Sequence, residues 1–214
     1  RLLARFFRAQ GLDGFRSERL VGVEHLLHGG IGLGRLGRVL GEGGAPLPVG
    51  DPARPERNII VWMDHRALEQ AERINALGHP VLRYVGDVIS PEMETPKLLW
   101  LKENRPEIYA GAWQFLDLTD FLTWKASGDL ARSVCTVTCK WTYLGHEARW
   151  DETYFRAVGL DRLADEGFAR IGTRVVDPGT ALGSGLTAAA AADLAVAVDG
   201  VLARAVAVAR QLAQ

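Results

Sequence analysis

A six-residue apolar run at residues 58–63, NIIVWM, passes straight into DHRALEQAERINALG. The run contains β-branched residues, lacks polar alternation and is too short for a helix of its own. It therefore reads as a strand buried on both faces, the kind found in parallel or mixed sheets. Beyond it, Leu68, Ala71, Ile74 and Leu77 fall at helical spacing over residues 66–77, and Gly78 supplies the stop. A buried strand feeding a helix requires helices laid on a sheet, which is the α/β class.

The same alternation recurs along the chain. Residues 29–57 are rich in Gly and Pro. Short apolar pieces at 38–40 and 46–49 flank the glycines at 41–44, which predicts a loose hairpin and then a loop. Ser90-Pro91 and Thr95-Pro96 both match a cap followed by Pro at a helix start, and the helix predicted over 96–104 ends before Pro106. Residues 114–118 (QFLDL) form a short strand candidate. Thr119 or Asp120 is then placed to cap a helix through Ala126, with Gly128 beyond it. Residues 151–158 predict a helix stopped by Gly159, residues 175–185 are turn-rich, and residues 1–28 and 187–214 read as helical. No internal repeat is visible.

Composition excludes several classes. The 214 residues are 48% apolar and 24% charged, enough for a core, and the net charge of −1 leaves no footprint for nucleic acid or an anionic membrane. No apolar run approaches the roughly 18 residues of a membrane span. RLLARFFRAQ at the start lacks a clean apolar core and a small-residue cleavage site, so a cytoplasmic protein is expected. The chain starts with Arg, so its true beginning is expected upstream. The two cysteines, Cys135 and Cys139, stand at i, i+4 without a second pair or a nearby histidine to complete a zinc site. They read as reduced, partly buried thiols.

Four clusters hold residues suited to chemistry. Trp62-Met63-Asp64-His65-Arg66 sits where a strand ends and a helix begins, the place where α/β sheets bind ligands. Asp64 accepts hydrogen bonds from hydroxyls, His65 donates or accepts, and Trp62 offers a flat apolar face. The local alternative makes Trp62 core, Asp64 a cap and Arg66 a solvated charge. Ser90–Lys97 is accounted for by two helix-start signals with acids near the helix dipole. In CTVTCKWTY, residues 135–143, either Lys140 packs its stem while the ammonium reaches water, or its charge meets an anion. Gly32, Gly34 and Gly37 match a dinucleotide fingerprint by letter, but no clear strand precedes them and no helix follows.

Taken in order, VWMDHRA (61–67), INALGHPVLRYVGDVISPEMETPKLLWLKE (74–103), FLDLTDFLTWKASG (115–128), RSVCTVTCKWTYL (132–144) and IGTRVVDPGTALGSGLT (171–187) resemble the N-terminal domain of FGGY carbohydrate kinases. The ribulokinase-like pentulose kinases are the nearest branch. The resemblance implies an actin-like, ribonuclease-H-like ATPase fold, here incomplete: residues 1–45 match poorly, 46–194 form part of the domain, and 195–214 are an Ala-rich helical tail. It implies that Trp62, Asp64, His65, Glu94 and Lys140 lie near a sugar, and that ATP and Mg²⁺ act with a second domain. The implied reaction moves the γ-phosphoryl of ATP to a hydroxyl of a ketopentose such as D-ribulose.

Three departures stand out. The family's acidic-Gly-Thr phosphate turn is not found in residues 1–30. GGIGLGRLGRV replaces a small polar run near the sugar. No general-base Asp follows GLT, and Asp199-Gly200 does not fit that motif. The expectation is a kinase fragment that is inactive alone, prone to self-association or to pairing with a missing C-terminal domain. A non-catalytic sugar-binding or interaction remnant is the alternative, and the Gly pattern alone suggests a dinucleotide enzyme.

Overall fold

A computed structural model describes residues 35–51, 53–54, 58–61 and 63–195. Gly34–Leu194 form one compact unit. A second grouping, residues 1–33 with 195–214, lies almost wholly outside the described residues. The helices expected at 1–28 and beyond 195 also lie outside them, as does Trp62.

Strand β1 (Arg35–Leu40) is the centre of a three-stranded sheet, flanked by β2 (Ile59–Val61) and β3 (Gln114–Leu116), both antiparallel to it. Val39 pairs with Phe115 and Leu40 with Gln114, and all four side chains are buried. The loose hairpin after β1 is present. The Gly41 amide donates to the Ala45 carbonyl at 2.8 Å and the Leu47 amide to Val39 at 2.9 Å. Gly44 is needed there: its φ is +79°, and a Cβ would stand 2.3 Å from the Trp124 ring. Gly37 lies inside β1, so the glycine pattern is not a turn opening a helix and the dinucleotide reading fails.

The NIIVWM run differs from expectation. β2 is antiparallel and at the sheet's edge among the described residues, and only Ile60 of its three residues is fully buried. An apolar run reports burial of some kind but not its position in a sheet. Parallel pairing occurs elsewhere, between β4 (Arg132–Ser133) and β5 (Val175–Val176).

Helix α1 (Leu68–Ala76) buries Gln70, Ala71 and Ile74, while Leu68 and Leu77 stay exposed, so the apolar stripe is narrower than the spacing predicts. Gly78 ends it at φ +58°. Helix α2 (Glu94–Asn104) begins earlier than predicted and is buried along Glu94–Leu99 and at Leu101. Thr95 is not its cap: Oγ1 lies 3.0 Å from the Tyr154 hydroxyl in the core. α2 packs against α1, α3 (Pro106–Gly111) and α5 (Val134–Trp141). Helix α4 (Leu118–Ser127) has Asp117 at its N-cap position, not Thr119 or Asp120, and Gly128 closes it at φ +75°.

Beyond α5, Asp151 caps α6 (Glu152–Ala157) by accepting from the Thr153 and Tyr154 amides, and α7 (Asp161–Asp165) follows. The aromatics Tyr143, Trp150, Phe155 and Phe168 meet edge-on or stacked, with centroids 4.9 to 5.8 Å apart, and pack into the core. Buried Arg132 donates to the Ile171 carbonyl at 3.2 Å and the Gln114 side chain at 2.6 Å, tying β4 to β3. Gly172 allows this: at φ +119°, a Cβ would meet Arg132 Cγ at 2.4 Å. Cys135 and Cys139 share a helical turn as the spacing implies, but both are exposed, contrary to the partly buried reading.

Candidate sugar-binding site

β2 and β3 are both antiparallel to β1, so they run parallel to each other and their carboxyl ends lie on one edge of the sheet. Asp64 follows β2 and Asp117 follows β3. The first turn of α2 brings Glu94 and Lys97, and the last turn of α5 brings Lys140. Glu94, Lys97, Asp117 and Lys140 act on one another electrostatically, and Asp64 joins them through Lys97. An α/β sheet gathers polar groups at this edge because its strands stop there and their following turns are free to carry them.

Asp64 is held locally. Its Oδ1 accepts from the Arg66 amide at 3.1 Å, and Arg66 Nε stands 2.8 Å from Oδ1 and 2.9 Å from Oδ2. Burial works to raise the Asp64 pKa, but hydrogen bonds and charge from Arg66, with Lys97, outweigh it and hold the carboxyl below its usual range. The local alternative of Asp64 as the helix cap fails, because Ala67 holds the N-cap position of α1 without a side-chain cap, and Asp64 instead binds Arg66, which is engaged and not simply solvated. His65 is exposed, with Nε2 3.6 Å from Glu92 Oε1.

Glu94 is 3% exposed, and its Oε1 finds no hydrogen-bond partner among the described residues. Burial drives its pKa up, Lys97 and Lys140 pull it back, and Asp117 adds to the rise. Asp117 Oδ2 is likewise buried and unpartnered. Burial raises its pKa against the pull of the Thr119 and Leu118 amides, Lys140 and Lys97. Lys97 is buried and donates from Nζ to the Val61 carbonyl at 3.3 Å. Burial lowers its pKa, with Glu94, Asp64 and Asp117 opposing. Lys140 is half-buried, and no ion pair forms at it among the described residues.

Of the expected site residues, the structure thus sets Glu94 and Lys140 against each other, links Asp64 to them through Lys97 and leaves His65 exposed, while Trp62 lies outside the described residues. Sequence reasoning missed Lys97 and Asp117. Lys97 stands three residues after Glu94 in PKLLW, among apolar neighbours, and that burial-prone setting was the available signal. Asp117 looked like an ordinary strand-end residue. No cluster of three or more His, Cys, Asp and Glu able to hold a metal occurs among the described residues.

Solved sugar kinases share this architecture. A gluconate kinase from Lactobacillus acidophilus superposes with a TM-score of 0.58 at 17% identity, covering 75% of this chain and 30% of that one. A xylulose kinase from the same organism gives 0.55 at 17% identity, over 75% and 30%. The fold is therefore part of the actin-like ATPase architecture of sugar kinases. The model of the FGGY family of carbohydrate kinases, N-terminal domain, matches residues 41–167, more than half of the chain, and the chain belongs to that family.

Its relatives include an FGGY carbohydrate kinase domain-containing protein of Danio rerio, 55% identical over 150 residues, 70% of this chain and 27% of that protein. A D-ribulokinase of Saccharomyces cerevisiae is 42% identical over 125 residues, 55% of this chain and 17% of that protein. The chain thus spans about a quarter or less of the length of these relatives. No helix among the described residues is long and apolar enough to cross a membrane.

Proposed function

We propose that this chain is part of the sugar-binding half of a ketopentose kinase, and that D-ribulose or a similar open-chain ketose sits at the sheet edge beside Asp64, Glu94, Asp117 and Lys140. The observation that carries this reading is Glu94 Oε1, which finds no partner among the described residues and is buried next to two lysines. A buried polar atom without a partner is costly, and a ligand hydroxyl is a suitable donor for it. Carboxylates accept from hydroxyls, while Lys140 donates to a sugar oxygen or offsets charge arriving with a phosphoryl group. Trp62 would supply an apolar face and His65 a polar rim.

The family relation supports the rest: in the whole protein, ATP would supply the γ-phosphoryl and a second domain would hold it. The residues described here do not form a Mg²⁺ site, so no step through the metal is assigned to them. None of them is assigned the role of general base. A soluble, cytoplasmic enzyme fits the family.

Calorimetric titration of the chain with D-ribulose tests the reading. Saturable binding at one site is expected, weakened roughly tenfold or more by Glu94→Ala or Lys140→Ala, each of which removes one partner of a sugar oxygen or hydroxyl. No ATP consumption is expected from the chain alone. A folded wild-type chain that shows no heat or chemical-shift change with ketopentoses at millimolar concentration would refute the proposal.

A further inference from the structure

Lys97 is the one charged group of the cluster without a direct task in sugar binding. It points into the protein from α2, where ordering a long ammonium side chain out of water is unfavourable unless the charge is answered. Its Nζ reaches the Val61 carbonyl, the last residue of β2, three residues before Asp64. The charged groups that act on it are Glu94 on its own helix, Asp64 after β2, Asp117 after β3 and Lys140 on α5, and none of them comes from α1 or α3, which also pack on α2. Asp64 is already engaged by Arg66. That leaves Glu94 and Asp117 facing Lys97 and Lys140. Lys140 is the more exposed of the two lysines and so the one able to reach a ligand.

We infer that Lys97 is a positioning residue of the sugar site: it anchors the end of β2, and so the turn bearing Asp64 and His65, and it supplies the internal positive charge that faces Glu94. The inference rests on the sugar-binding reading above. Removing that charge leaves Glu94 and Asp117 with Lys140 alone. Glu94 then keeps its proton to higher pH, since two buried carboxylates answered by a single ammonium resist ionising together. A protonated Glu94 presents one acceptor fewer to a sugar hydroxyl, and the bond it does make lacks charge assistance.

The experiment is D-ribulose titration of the chain from pH 6 to 9 for the wild type, Lys97→Met, Lys97→Arg and Glu94→Gln, with His65→Gln as a control for titration on the outer turn. The wild-type affinity is expected to rise with pH around one midpoint, and Glu94→Gln to abolish that dependence. Lys97→Met keeps the stem, and its midpoint is expected to move up by one pH unit or more, with at least tenfold weaker binding at pH 7. Lys97→Arg keeps the charge, and its midpoint is expected to stay within half a pH unit of wild type.

An unchanged midpoint in folded Lys97→Met overturns the inference. If Lys97→Met does not fold, a midpoint displaced by more than one pH unit in Lys97→Arg overturns it instead. Failure of the wild type to bind sugar at any pH overturns the sugar reading. Carboxyl ¹³C NMR of Glu94 in wild type and Lys97→Met then still decides the charge relation, which fails if the two titrate together.

Discussion

Arg66 closes on Asp64 while its guanidinium sits over Trp100: its Nε is within 2.9 Å of both carboxylate oxygens, and its guanidinium carbon is 4.1 Å from the ring centre. Nη1 also reaches the Val49 carbonyl at 3.3 Å, so one side chain joins the β2–α1 turn, α2 and the loop after the hairpin. The Asp64 carboxylate is thus held in one orientation by the protein alone. Arg66→Ala is expected to cost about 1 kcal/mol of stability, the scale of a partly exposed ion pair with a cation–π contact. It should also weaken D-ribulose binding severalfold. Arg66→Lys should recover little of either, because an ammonium cannot match the forked geometry. Urea melts and sugar titrations on the three proteins check this.

The Thr95–Tyr154 pair holds the start of α2 against α6. Both groups are buried and their oxygens are 3.0 Å apart. Burial pushes the Tyr154 pKa well above that of a free phenol, so the hydroxyl stays neutral. Tyr154→Phe strands the Thr95 hydroxyl in the core and should cost about 1–2 kcal/mol. Thr95→Val combined with Tyr154→Phe should cost less than the sum of the single changes, since neither partner is left alone. Equilibrium urea unfolding of the four proteins gives the coupling energy directly.

Asp120 makes folding stability depend on pH. Burial raises its carboxyl to about 6, against the pull of the Ser133 amide and Arg132, and Asp117 adds to the rise. A carboxyl with a folded pKa above its unfolded value contributes stability that is fully present below the unfolded pKa, near 3.8, and lost as pH rises through the folded one. The loss between those limits is roughly 3 kcal/mol. Asp120→Asn retains a carbonyl for the Ser133 amide, so the fall in stability between about pH 4 and 6 should shrink by this order, leaving the variant at least as stable as wild type at pH 7. Urea midpoints at successive pH values measure it, and an identical decline in both proteins would refute the assignment.

Element identity was largely legible in the chain, and boundaries less so. Gly78, Gly128 and Gly159 end their helices at positive φ, a backbone state that glycine enters without steric cost, so those ends could be read from letters alone. The start of α2 could not. Two Pro-containing cap patterns competed, and the fold placed Thr95 in the core against a tyrosine 59 residues away. Likewise, Cys135 and Cys139 share a helix face as their spacing required, but which face looks outward depended on where α5 packs.

The sequence by itself determined the α/β alternation and the family, and the resemblance it carries pointed to Asp64, Glu94 and Lys140 as candidate site residues. Local propensity and ordered motifs carry that information along the chain. Only the tertiary structure decided that Ile59–Val61 forms a strand antiparallel to β1 and at the sheet's edge among the described residues, that Lys97 and Asp117 join the candidate site, and that Arg66 restrains Asp64. Each depends on elements distant in sequence meeting in space, and on the loss of solvent there that makes a buried charge depend on its neighbours.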